Sequence, residues 1–221
     1  MEQFRAEHGD YARMFERVLT LEGTSIRFSN YVVQAGELPE VETCDAYLIT
    51  GSRHSVYDDL PWIRDLVAFV DAAMRANRKI IGICFGHQLV AHYFGGETRV
   101  ARGGWGVGVQ VSRIEAWESW MEPPLNELAL LSSHKDQVAR LPDGATCFAA
   151  SEFCPYAGFV WKDLVITFQG HPEFTRSYSA ALMQMREEVL GRETFVGGMA
   201  SLEKDTHEGT VARWILNFLA K

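Results

Sequence analysis

The stretch Lys79-Ile80-Ile81-Gly82-Ile83-Cys84-Phe85-Gly86-His87-Gln88 carries the strongest local signal in the chain. A short apolar run, strand-like in its branched residues, ends at Cys84, and a helix-like stretch over residues 85–94 begins at once. Glycines stand two residues before the cysteine and two after it. This is the layout of a nucleophile elbow: the side chain projects from a sharp strand-to-helix turn, and small neighbours let backbone and substrate approach. A helix N-terminus stabilises a thiolate, and its free N–H groups can receive a developing oxyanion. An isolated free cysteine is more often a small buried hydrophobe. The flanking glycines and the strand–turn–helix context favour the nucleophile here.

Outward from this stretch the pattern alternates. Ala46-Tyr47-Leu48-Ile49-Thr50 is another short apolar run, and it ends at Gly51. Pro61 fits the first turn of a helix over residues 61–77, with Ile63, Leu66, Val67, Val70 and Met74 on one face. Residues 10–21 show helical spacing of Tyr11, Met14, Phe15, Val18 and Leu19, and residues 25–33 alternate like a strand. Strands and helices in this order imply a parallel sheet covered by helices. Beyond residue 100, strands are expected at 107–114, 145–151, 158–161 and 164–169, some of them antiparallel, and helices at 176–191 and 206–220. The fold class is therefore α/β, a mostly parallel central sheet flanked by helices with a small antiparallel extension. No repeat, low-complexity tract or linker divides residues 1–221, so a single domain is expected.

Composition narrows the function. The 221 residues carry a formal net charge of −8, which argues against sequence-independent binding to nucleic acid or anionic lipid. No run of about 18 apolar residues would span a membrane, and no basic segment followed by an apolar run opens the chain as a signal peptide would. Cys44, Cys84, Cys147 and Cys154 are irregularly spaced, which suggests free thiols in a reducing, cytoplasmic setting. There is no Cys-x-x-Cys pair, and His87 and His92 lack the spacing of a zinc protease, so no metal is expected.

A cysteine nucleophile needs a base and a group to orient it. The apolar run Leu164-Val165-Ile166-Thr167-Phe168-Gln169 ends in Gly170-His171-Pro172-Glu173. Pro172 disfavours helix at His171, so the extended direction persists. Residues two apart then point the same way, which sets the Glu173 carboxylate beside the His171 ring. Such a carboxylate fixes the tautomer and stabilises the imidazolium.

Gly82-Ile83-Cys84-Phe85-Gly86-His87-Gln88 together with Gly170-His171-Pro172-Glu173 resembles the class I glutamine amidotransferase family, the triad glutaminases. More narrowly, the chain is similar to stand-alone members near the glutaminase domain of GMP synthase and to γ-glutamyl peptidases. Ile49-Thr50-Gly51-Ser52, Gly104-Trp105-Gly106-Val107-Gly108 and Ser133-His134-Lys135-Asp136 match further family segments in order. The resemblance implies a flavodoxin-like fold and a Cys84–His171–Glu173 triad that cleaves the γ-amide of glutamine or a γ-glutamyl compound. It also implies an oxyanion hole from the backbone of Phe85 with Gly51 and Ser52. Substrate contacts fall on Gln88, Ser133, His134, Lys135 and Asp136, and no cofactor is required. A separate synthetase subunit that accepts the ammonia is one expectation. The alternatives are a γ-glutamyl peptidase with no such partner and a non-catalytic regulatory protein on the same fold.

One departure stands out. The family opens with a short apolar strand, and residues 1–10 contain only Met1, Phe4 and Ala6 as apolar residues. The leading strand is thus expected to be missing, leaving either a start further upstream or a sheet completed by a partner chain, which makes a homo-oligomer one alternative.

Overall fold

The apolar runs at residues 46–50 and 79–83 form adjacent parallel strands, β1 (Ala46–Ile49) and β2 (Lys79–Ile83), in a computed structural model that describes residues 4–221. β9 (Val165–Phe168) lies parallel on the other side of β2, from Ile80↔Val165 to Ile83↔Phe168. β8 (Gly158–Trp161), β7 (Thr146–Ala150), β4 (Gly106–Ile114) and β5 (Glu127–His134) follow across the sheet, each antiparallel to its neighbour. Five of these seven strands, β1, β2, β9, β7 and β5, therefore run one way, and β8 and β4 run the other. β3 (Glu97–Val100) and β6 (Asp136–Arg140) make a separate antiparallel pair. A mostly parallel sheet with an antiparallel extension is what the sequence predicts.

Alternation along β2 and β9 sends side chains to two cores. Ile80 and Val165 face α3 (Pro61–Arg75) and α4 (Phe85–Tyr93), among Ile63, Leu66 and Val70. Ile81, Ile83, Ile166 and Phe168 face α2 (Tyr11–Leu19) and α8 (Glu208–Ala220), where Val211, Trp214, Ile215 and Phe218 are buried as expected. Asp10 caps α2 by accepting from the Arg13 N–H at 3.0 Å. A third cluster joins β4 and β5 to α5 (Arg176–Met185) and α7 (Arg192–Ser201).

Several elements differ from expectation. Residues 25–33 alternate but pair with no strand, and Ile26, Tyr31 and Val32 are exposed. Pattern alone does not make a strand without a neighbour to bond. The single helix expected at 176–191 is broken at Arg186 into α5 and α6 (Glu187–Leu190), and Gly191 at φ 75° ends the second piece. β5 is unanticipated because Leu-Ala-Leu-Leu favours helix locally, whereas eight pairings to β4 hold it extended. Residues 4–10 hold no strand, only α1 (Arg5–His8), and residues 1–3 lie outside the described residues.

Candidate active site

Cys84 is the hinge between β2 and α4. Its N–H donates to the Phe168 carbonyl at 2.8 Å, the last rung of the sheet, and its own carbonyl accepts from the Gln88 N–H at 3.0 Å, the first turn of the helix. Serving both elements forces φ 52° and ψ −95°, a conformation that costs a non-glycine residue about 1–3 kcal/mol. Gly82 and Gly86 make the turn sterically possible. A Cβ at Gly82 would stand 2.8 Å from the Gly86 carbonyl, and one at Gly86 would stand 2.4 Å from the Ile49 oxygen. Phe85, the first residue of α4, belongs to the turn whose N–H groups have no partner within the helix.

His171 arrives at the same end of the sheet because β9 is the neighbour of β2, and Ile83 and Phe168 are paired at its edge. Beyond Phe168, Gln169 N–H donates to Ala157 and His171 N–H donates to Leu131 on β5, both at 2.8 Å. The segment leading from Phe168 to His171 is thus tied first to Ala157, next to β8, and then to β5. Its Nδ1 lies 2.7 Å from Glu173 Oε1, and both side chains are buried. Burial by itself would lower the imidazole. The charges of Glu173 and Cys84 and their hydrogen bonds outweigh it and raise His171 to about 10. The ring therefore carries its second proton at neutral pH.

Gly51 follows β1 at this end and borders both groups. A Cβ there would stand 2.9 Å from His171 Cε1 and 3.7 Å from Cys84 Cβ. A narrow groove borders Cys84, lined by Ser52, Ser133 and His171 among the expected residues. Tyr11, Arg53, Phe174, Leu182 and Arg186 line it too, and sequence reasoning assigned none of them to the site. Phe174 directly follows the Gly170–Glu173 segment, and that adjacency is the one signal that could have singled it out. Arg186 falls in what reads as a continuous helix.

The other expected residues lie elsewhere. Gln88 is buried, and its amide nitrogen donates to the Asp136 carbonyl at 2.6 Å and to Gln169 Oε1 at 3.0 Å. Its contacts brace the protein behind the groove, where the resemblance placed it at the substrate. His134 is buried without a partner for either ring nitrogen, and burial followed by the His171 charge lowers it to about 3. Lys135 is exposed, and Asp136 accepts from the Ser55 hydroxyl. The chain turns from β5 into β6 at this point, so Ser133 alone of the four lines the groove. Phe85 forms no part of that lining and packs into the α3–α4 core. His87 is likewise a core residue, its Nδ1 2.8 Å from Thr167 Oγ1. Among the described residues no group of His, Cys, Asp and Glu could hold a metal ion, and no helix is long and apolar enough to cross a membrane.

Residues 9–186 match the family model described as glutamine amidotransferase class-I. γ-Glutamyl peptidase 4 of Arabidopsis thaliana is 31% identical over 210 residues, covering 91% of this chain and 81% of that protein. GMP synthase [glutamine-hydrolyzing] of Thermosipho africanus is 30% identical over 164 residues, 72% of this chain but 28% of that longer protein. Among solved structures, a glutamine amido transferase from Methylobacillus flagellatus superposes with a TM-score of 0.76 at 24% identity, covering 94% of this chain and 87% of that one.

Proposed function

Because the chain belongs to the class I glutamine amidotransferase family, we propose that it hydrolyses the γ-amide of glutamine or of a γ-glutamyl compound through a thioester on Cys84. The observation that carries this reading is the left-handed Cys84 turn beside an imidazole whose other nitrogen is held at 2.7 Å by a buried carboxylate. The Cys84 sulfur attacks the γ-carbonyl carbon, and the carbonyl oxygen becomes an oxyanion beside the backbone N–H groups of Phe85 and of Gly51 or Ser52. His171 gives its proton to the departing ammonia or amine as the C–N bond breaks. Water then adds to the thioester, His171 takes its proton, and collapse returns glutamate and the Cys84 thiolate. Glu173 holds the ring and stabilises its charged form.

The isolated protein, mixed with glutamine or γ-glutamylglycine, should release ammonia or glycine, and mass spectrometry should detect a glutamyl adduct on Cys84. Cys84→Ser should abolish both signals. Folded protein that turns over neither compound, nor any other γ-glutamyl amide, would overturn the hydrolase reading in favour of a regulatory role. An ammonia-accepting synthetase subunit is the second reading, since the GMP synthase match covers only part of a longer protein. Stimulation of glutamine hydrolysis by such a subunit would support it.

A further inference from the structure

A cavity of about 380 Å³ lies between β4 and α7, and it shares no lining residue with the groove at Cys84. That volume is within the range of small-molecule pockets. Trp105, Val109 and Val111 give it an apolar wall, while Gln110, Thr194 and Lys204 give it polar groups. No acidic residue lines it. Lys204 is exposed and, although Glu203 and Asp205 flank it in sequence, it is in no ion pair among the described residues.

Gly197, which also lines the cavity, stands within α7, where glycine weakens a helix relative to alanine. Its neighbour Gly198 is required by packing, since a Cβ there would stand 2.7 Å from both Met183 Sδ and Val107 Cγ2. At Gly197 a Cβ would meet nothing within 4 Å, and its backbone is not left-handed. Neither packing nor backbone geometry within the chain offsets the loss of helix stability. The missing side chain instead leaves open space on the cavity wall.

Cavity and groove meet through one contact. Trp105 lines the cavity, and Arg186, which lines the groove, has its guanidinium carbon 5.4 Å from the centre of the Trp105 ring. Arg186 Nη1 donates to Ser133 Oγ at 2.7 Å, and Ser133 lines the groove as well.

We propose that this cavity is an effector site for a small planar aromatic carboxylate. The flat apolar body packs on Trp105 and the valines, in the space that Gly197 leaves, and the carboxylate pairs with Lys204. A wall with one cation and no acid selects an anion over a cation. With the cavity filled, Trp105 has no room to swing into it, so Arg186 is held beside the groove and access to Cys84 narrows.

The probe is 2-naphthoate, compared with 2-naphthamide, which has no charge, and with cyclohexanecarboxylate, which has no aromatic ring. Calorimetry should give 2-naphthoate a Kd below about 1 mM. 2-Naphthamide should bind about three- to fivefold more weakly and cyclohexanecarboxylate roughly tenfold more weakly. Lys204→Gln should erase the difference between the two naphthyl compounds. Gly197→Leu should fill the cavity and abolish binding of all three. Gly197→Ala should weaken binding by a smaller factor while raising the melting temperature, and it keeps the test decisive where the leucine variant fails to fold. Alkylation of Cys84 by iodoacetamide, followed by mass spectrometry, should slow by about fivefold or more under saturating 2-naphthoate, and Gly197→Leu should remove that effect. No saturable binding, binding that survives Gly197→Leu, 2-naphthamide binding as tightly as 2-naphthoate, or an alkylation rate indifferent to the ligand would overturn the proposal. Neither measurement uses hydrolysis, so failure here is distinct from failure of the γ-amide reading.

Discussion

The Phe174 ring lies flat on the His171 imidazole, centroids 3.8 Å apart and planes 10° from parallel. Tyr11 flanks both rings, 6.0 Å from Phe174 and 6.5 Å from His171, so Phe174 closes one face of the imidazole while Glu173 holds its edge. An imidazolium also gains from the face of an aromatic ring. Phe174→Leu should therefore loosen the ring and lower kcat by about ten- to a hundredfold, with a much smaller change in KM. Steady-state kinetics on γ-glutamylglycine measure the split, and a change confined to KM would place Phe174 in substrate binding instead.

Gly51 has no room for a side chain beside His171 and Cys84. Gly51→Ala should push its methyl against His171 and reduce kcat/KM by roughly a hundredfold, since displacements near 1 Å suffice for that. The fold should survive, because the flexible neighbour is a side chain. Gly209→Ala is the control, as a Cβ there meets nothing within 4 Å. Thermal melts alongside kinetics separate a misplaced imidazole from a destabilised protein.

Cys84, His171 and Glu173 should behave as a unit. His171→Ala is expected to remove nearly all turnover, because the proposed mechanism asks the ring to move a proton in each half-reaction. Glu173→Gln should leave more residual activity, since an amide still bonds the ring but does not stabilise its charge. Once Cys84 is replaced, a second change at Glu173 should matter little. Additive losses across the double variants would show that the three do not share a step.

The His171 proton should also be visible in stability. Its folded value of about 10 lies above the ordinary 6.5, so the charged form favours the folded state. That contribution is complete below about pH 6.5 and fades as pH rises through about 10. The difference in unfolding free energy between the protein and His171→Asn should be largest near pH 6 and shrink towards pH 10. Urea titrations across that range test the sign, and a difference that grows with pH would contradict a charged His171 in the folded state.

The elbow was legible because its requirements are local: branched residues into Cys84, glycines on either side, a helix after it. The His171–Glu173 contact was legible for the same reason, since Pro172 keeps the chain extended across three residues. β5 and the break at Arg186 were not, because each depends on what lies across from it. Leu128 to Leu131 would suit a helix until β4 supplies the hydrogen bonds. α7 was hidden by Gly197 and Gly198, which disfavour helix in isolation. Gly198 is there because Val107 leaves no space, a Cβ standing 2.7 Å from its methyl. Arg186 belongs to the same class, since nothing beside it in sequence says that it reaches the groove over Cys84, whereas Arg53 directly follows the expected Gly51-Ser52 pair and adjacency could have singled it out.

Cys84 and His171 leave adjacent strands, yet the chain between them runs through α4 and on across the antiparallel strands before returning at β9. That excursion begins and ends at the same place. Its connecting loops can be lengthened, trimmed or rewritten during divergence without drawing the sulfur and the ring apart, because the β2–β9 pairing and the His171–Leu131 bridge, and not the loops, set their separation. A lineage on this scaffold can therefore exchange one substrate for another while its chemistry stays put, and identity to relatives near 30% is compatible with an unmoved reaction centre.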